Sequence, residues 1–490
     1  TGVTSINAGT ITVTGGSLPS SGLVSISSGA RLNYTPSISG TLAVGTLSIA
    51  SGGTLGMYWS SRIAASSAAI AGSLNINMIG TSYVTGQTYT VLTRGSGTAL
   101  DTVSYSVFGN PTFDYDLTLS AGSVQIAPYS LSVFPTAYWV GGVQSAGPKV
   151  WNLANWSRYA SGANISSAVP LTSTTLVLSS AAATSDNQSG MSLAGNLSVL
   201  GLVANSTATM SLSNSGSGSL TLGTGGITMG SLAGSLGLDP GIVLGGAQTW
   251  SNSSVNSLTI GGSLTTAGYA LTTSGSGTIE ISGTISGSGR LVQSGSGRLN
   301  LSGANTFTGG VTLNNGTLGL MGTGGTELGP LATAAVLSMS GGGINFGSYS
   351  AYTFVGLSGS GSLELKNNSG SAVALTIGSS SLYSTTFSGT LAGIGSLVKA
   401  GNGVFTLSGT STYTGQTAVN AGSLTVSGTG SLSASSALSV ATGASFNYLP
   451  TSAGTLNLAS FNLANMGTIG LSFGSRLSAS GAATMASSGT

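Results

Sequence analysis

Apolar and polar residues alternate along this chain in short runs: Leu299 and Leu301, then Val311 and Leu313, then Leu318 and Leu320, with Asn300, Thr312 and Gly319 between them. A period of two puts one face of each run indoors, the pattern of a half-buried strand. Gly-Ser, Asn-Gly and Gly-Gly pairs break the runs roughly every five to ten residues, as corners would. Ser, Thr and Gly, which fill the polar positions, all weaken helix interiors. The pattern therefore predicts many short strands joined by tight corners, and no helical domain.

The runs repeat at two scales. TGVTSINAGTITVTG at Thr1 returns as TGQTAVNAGSLTVSG at Thr414, an offset of 413 residues (414 − 1). After a one-residue slip the match continues: Asn33-Tyr34-Thr35-Pro36 with Asn447-Tyr448-Leu449-Pro450, Gly53-Thr54-Leu55-Gly56 with Gly467-Thr468-Ile469-Gly470, and Arg62 with Arg476. An end that repeats the beginning marks a tandem array. A shorter repeat is nested inside: GSGRLNLSGANTFTGGVTLNNGTLGL from Gly295 and GNGVFTLSGTSTYTGQTAVNAGSLTV from Gly401. The copy at Thr1 lacks its upstream half, so the stretch is expected to be cut from a longer array.

The core LSGANTFTGGVTLNNGTL, at Leu301 to Leu318 and again at Leu407 to Leu424, resembles the autotransporter-associated β-strand repeat, also called the passenger-associated transport repeat. Tyr138-Trp139-Val140-Gly141-Gly142, followed by Trp151 and Ala154-Asn155-Trp156, is similar to the opening of long secreted proteins that carry such repeats. The resemblance implies an all-β chain folded as a right-handed parallel β-helix (β-solenoid) outside a bacterial cell. It says almost nothing about molecular activity.

Composition fits that architecture. Charged residues make up 4% of the 490, against about 25% in an ordinary globular domain. Like charges stacked at coil spacing would repel. A hydrophobic content of 40% rules out a disordered linker. With coils about 4.8 Å apart and roughly 20 residues each, a 413-residue unit would form an elongated Gly/Ser/Thr-rich rod on the order of 100 Å long. Residues 83–128 hold a denser aromatic and acidic set (Tyr89, Tyr105, Phe108, Phe113, Asp114, Tyr115, Asp116) and read as longer strands closing one unit. The expected organisation is 1–136 as the C-terminal part of one unit, 137–413 as the N-terminal part of the next, and 414–490 as its continuation, repeating 1–77.

Candidate chemistry is sparse. No His and no Cys occurs, which excludes the familiar triads and dyads built on them. Asp114 and Asp116, at i and i+2, could serve glycoside hydrolysis or bind a cation. A solvated strand near a unit boundary is the favoured reading. Glu280, Arg290, Arg298, Glu364, Lys366 and Lys399 could gather into a lyase-like site, but cross-coil pairing is simpler. Triplets such as Gly287-Ser288-Gly289 precede neither a Lys-Ser/Thr pair nor a helical pattern, so they read as corners. Trp139, Trp151 and Trp156 lie within eighteen positions (139 to 156). They could contact sugars, or cap the coil where a unit begins; the cap is favoured.

No catalytic, cofactor-binding or metal-binding residue is assigned, and no cofactor is expected. Ten scattered basic residues make no phosphate-binding patch, so nucleic acid is not an expected partner. No apolar run reaches the roughly 18 residues of a transmembrane helix. The function expected is a structural repeat segment of a giant extracellular fibre, stalk or sheath on a bacterial surface, without catalysis. Its partners would be neighbouring repeat units, end to end and side by side. The alternative is an adhesin rod that binds surfaces or polysaccharide.

Overall fold

The alternating runs become strands that pair with the runs about one coil away in sequence. The computed structural model describes residues 2–80, 82–108, 113–130, 135–140, 149–151, 155–157, 165–166, 170–179, 188–214, 216, 218–322, 336–378, 383–433 and 436–486. The chain divides into two compact units, Thr1–Leu197 and Ser198–Thr490. The expected repeat boundary at 136/137 falls inside the first of them.

In the first unit the strands Val3–Ile6, Leu23–Ile26, Thr41–Ile49 and Arg62–Ile70 pair in parallel, and Ile6, Ile26, Ile49 and Ile70 fall into one register. All four are buried. A second parallel sheet, from Thr10–Val13 through Arg31–Tyr34, Gly53–Tyr58 and Ser73–Ile79 to Ser104–Phe108, stacks Leu32, Leu55 and Ile76. These are the axial ladders of a parallel β-solenoid: each aliphatic side chain rests on its counterpart one coil away. Burying such a side chain is worth roughly 1.5–3 kcal/mol.

The parallel pattern then breaks. Phe113–Ser120 and Ser123–Ser130 form an antiparallel hairpin, and the second of these strands also pairs antiparallel with Tyr89–Gly97. Thr136–Trp139 runs antiparallel to Trp156–Ser157 but parallel to Thr175–Leu178. The local cause is a two-residue turn at Ala121-Gly122, flanked by Ser120 and Ser123, whose hydroxyls bond each other at 2.9 Å. So short a connection can only fold a strand back, whereas a parallel crossover needs a dozen residues or more.

The second unit carries longer ladders. Leu236, Leu258, Ile279, Leu299, Leu318 and Ile344 share one register, and Leu238, Ile260, Ile281, Leu301 and Leu320 share its neighbour. Further along, Tyr352, Leu375, Leu397, Thr417, Leu438 and Phe461 align in the same way.

Two features hold adjacent coils at close approach. Gly316 and Gly422, at matching positions of the short repeat, have φ of 68° and 63°. A Cβ on Gly316 would lie 2.2 Å from the Gly297 carbonyl oxygen, and one on Gly422 would lie 2.5 Å from that of Gly401. Only glycine satisfies both demands. Mid-strand, Asn33, Asn300 and Asn447 each pair with a glycine of the next coil: Gly56, Gly319 and Gly470. A Cβ on those glycines would meet the asparagine Oδ1 at 2.1–2.2 Å. The amide fills the space that the missing side chain leaves.

Candidate functional site

The three tryptophans come together in the first unit. Pairing of Trp139 with Trp156 across antiparallel strands brings their ring centroids to 4.9 Å at an interplanar angle of 70°. Trp151 meets Trp156 edge to face at 5.6 Å. Trp156 Nε1 donates to the Trp151 carbonyl at 3.0 Å, and Trp151 Nε1 to Met191 Sδ at 3.3 Å. All three rings are fully buried. Edge-to-face contacts suit the ring quadrupoles, and with no indole face open to solvent the cluster is a packed core rather than an open platform.

An open groove of about 670 Å³ also lies in the first unit, lined by Thr35, Pro36, Ile38, Tyr58, Ser60 and Ser82 among others. Its floor includes Trp59, which donates through Nε1 to the Gly80 carbonyl at 3.0 Å and packs against Tyr83 and Tyr89 at 5.0 and 5.6 Å. Ile38 and Tyr58 are exposed at its rim. Sequence reasoning passed over Trp59 and Tyr58. Their signal was there, as adjacent large aromatics in a stretch otherwise built of small residues.

The charged residues do not assemble into one site. Among the described residues one ion pair occurs, Lys366 Nζ to Glu364 Oε1 at 2.7 Å. It joins positions two apart on an exposed turn, not neighbouring coils, so the expected cross-coil pairing is replaced by a local one. Asp114 and Asp116 lie on the backbone of the strand Phe113–Ser120, and their side chains fall outside the described residues. Among the described residues no group of three potential metal ligands forms. No helix among them is long and apolar enough to cross a membrane.

Lys399 departs furthest from expectation. It occupies an inward ladder position between Ile377 and Val419 and is 2% exposed. Its Nζ donates to the carbonyl oxygens of Ala400 at 2.6 Å, Gly401 at 2.7 Å and Ala421 at 3.3 Å. Burial pushes its pKa below the ordinary lysine value. Gln293, at the same position of the other short copy, donates through Nε2 to the Gly295 and Gly297 carbonyls at 3.0 and 3.1 Å. Both side chains satisfy corner carbonyls that water cannot reach. A buried hydroxyl chain lies nearby: Tyr413 Oη to Thr417 Oγ1 at 2.6 Å, and Thr417 Oγ1 to Ser436 Oγ at 3.1 Å. Burial raises the Tyr413 pKa well above 10, partly offset by the Thr417 contact. Tyr352 is likewise pushed up to about 12 by burial.

These features define a class: a parallel β-solenoid whose interior is aliphatic, with buried polar groups that serve the corners of the backbone. The family model described as passenger-associated-transport-repeat matches residues 291–320 and 397–426, so both short copies are repeats of that kind. The core motif that resembles this family lies inside the two matched segments. No curated protein and no solved structure matches the chain.

Proposed function

We propose that this chain is a structural segment of a giant extracellular fibre, stalk or sheath on a bacterial surface, and that it performs no catalysis. Residues 137–413 and 414–490, completed by an equivalent of 78–136, make up one unit in this reading, with the Trp139, Trp151 and Trp156 cluster closing its start. What carries the proposal is the recurrence of the same coil in both compact units. Arg62 Nε bonds Thr41 Oγ1 at 2.9 Å in one, and Arg476 Nε bonds Thr455 Oγ1 at 2.7 Å in the other. In a solenoid each coil contacts only its neighbours, so coils can be added without limit. The passenger-repeat match supports export to the surface. Negative-stain images of producing cells and of the purified full-length protein test the reading: long uniform filaments are expected, and compact particles or short headed rods would refute it.

A second reading, adhesion to polysaccharide, draws on the groove at Tyr58. An exposed aromatic among Ser and Thr hydroxyls suits a sugar face. Oligosaccharide binding lost in Tyr58→Ala would favour it.

A further inference from the structure

The two copies of the long repeat differ at one edge. In the first unit, Leu55 and Met57 are covered by the paired residues Ile76 and Met78 of the next coil. Trp59 lies beneath Tyr83 and Tyr89. In the second unit the corresponding positions are Ile469, Leu471 and Phe473, and among the described residues their outer edge is open. The change in exposure is large: Met57 is 0% exposed and Leu471 43%, while Trp59 is 2% exposed and Phe473 103%. Apolar side chains and a row of unpaired backbone groups thus face solvent together, an arrangement that recruits a further strand.

We propose that this edge is an acceptor for one partner: a second copy of this protein, contributing the segment Ser73–Gly97. The first unit shows what fits. The strand Ser73–Ile79 would pair in parallel with Thr468–Leu471, as it does with Gly53–Tyr58, and Tyr83 and Tyr89 would close over Phe473 as they do over Trp59. A segment that merely carries exposed backbone would lack those two rings. The inference stands on the edge alone, so absence of filaments on cells and absence of acceptance are separate results.

The chain has no cysteine, so Phe473→Cys creates a single reporter thiol on the full chain. A polypeptide of residues 73–130 added at saturation should slow maleimide labelling there by about tenfold or more, and a scrambled polypeptide should not. Labelling of Leu232→Cys, exposed elsewhere in the same unit, should be unaffected. A second form appends residues 76–130 covalently after Thr490 and should give the same protection. Unchanged labelling in both forms, or equal slowing by the scrambled polypeptide, overturns the proposal.

Discussion

The two passenger repeats, 291–320 and 397–426, build the same pair of coils with different interiors. Leu299 and Leu301 stack on Leu318 and Leu320 in one; Phe405 and Leu407 stack on Leu424 and Val426 in the other. Three differences are linked. Gln293 becomes Lys399, and the residue paired with it one coil earlier changes from Thr273 to Ile377. Phe307 and Val311, both buried and apolar, become Tyr413 and Thr417, both buried and bonded to each other. Lysine offers only donors, so an apolar neighbour suits it. Glutamine also offers an acceptor, and Thr273 Oγ1 donates to it at 2.5 Å. What persists between copies is not the residue but complete hydrogen bonding of whatever is buried.

The sharpest way to break the comparison is Lys399→Met. Methionine keeps the apolar stem and removes every donor, leaving the Ala400 and Gly401 carbonyls without it. Orphaning buried acceptors costs about 1–3 kcal/mol each, so a loss of about 3 kcal/mol is expected in urea unfolding of the Ser198–Thr490 unit. Lys399→Gln should recover most of that loss, because Gln293 already performs the task in the sister coil. If Lys399→Met proves as stable as the parent, the corner carbonyls do not depend on this side chain.

Next in size is the hydroxyl pair. Thr417→Val strands a buried Tyr413 hydroxyl and should cost about 2 kcal/mol. Tyr413→Phe leaves Thr417 bonded to Ser436 and should cost about 1 kcal/mol. The double substitution reproduces the Phe307–Val311 arrangement, so its cost should fall below the sum by about 1 kcal/mol. Strict additivity would show that the pair is coincidental.

The same tyrosine sets a pH dependence. Its folded pKa lies above the unfolded value near 10, so the folded state holds a proton that the unfolded chain releases. That contribution is complete below pH 10 and shrinks as pH rises beyond it. Tyr413→Phe should therefore flatten the fall in stability between pH 9 and 11. It should not abolish the fall, since Tyr352 and Tyr105 are raised in the same sense. Denaturant midpoints at the two pH values provide the check, and an unchanged slope would exclude Tyr413 as a contributor.

The axial ladders were legible because alternation with corners has few other solutions: Leu299, Leu301, Leu318 and Leu320 read correctly as one inner face. The antiparallel hairpin at Ser120–Ser123 was not read, although its Ala-Gly turn is visible, because a repeat-based expectation extends parallel coils by default. Lys399 was misplaced among surface charges. A lone lysine in an otherwise alternating strand, Leu397-Val398-Lys399, sits at the inward phase, and the phase was the signal overlooked. Mid-strand Asn300 and Asn447 could not be assigned from their own segments. Their reason lies in Gly319 and Gly470, about 20 residues later and adjacent only once the coils stack. The tryptophan cluster was legible as a cluster, but its burial depends on strands that only the fold brings together.

The smallest expected effect comes from the reciprocal exchange, Gln293→Lys. Lysine can reach the Gly295 carbonyl as Lys399 reaches that of Gly401, so the corner stays satisfied. What is lost is the acceptor for Thr273, whose hydroxyl keeps a weaker partner in the Val292 carbonyl at 3.2 Å. A buried threonine hydroxyl would then face an ammonium group where Lys399 faces Ile377. The cost should be about 1 kcal/mol, within the range for one imperfect buried hydrogen bond. Adding Thr273→Ile should return the coil to near parental stability, because it supplies the neighbour with which the lysine copy is built. The two substitutions must interact if the differences between the repeats are truly linked. A double variant no more stable than Gln293→Lys alone would mean that each position adapts to its surroundings by itself.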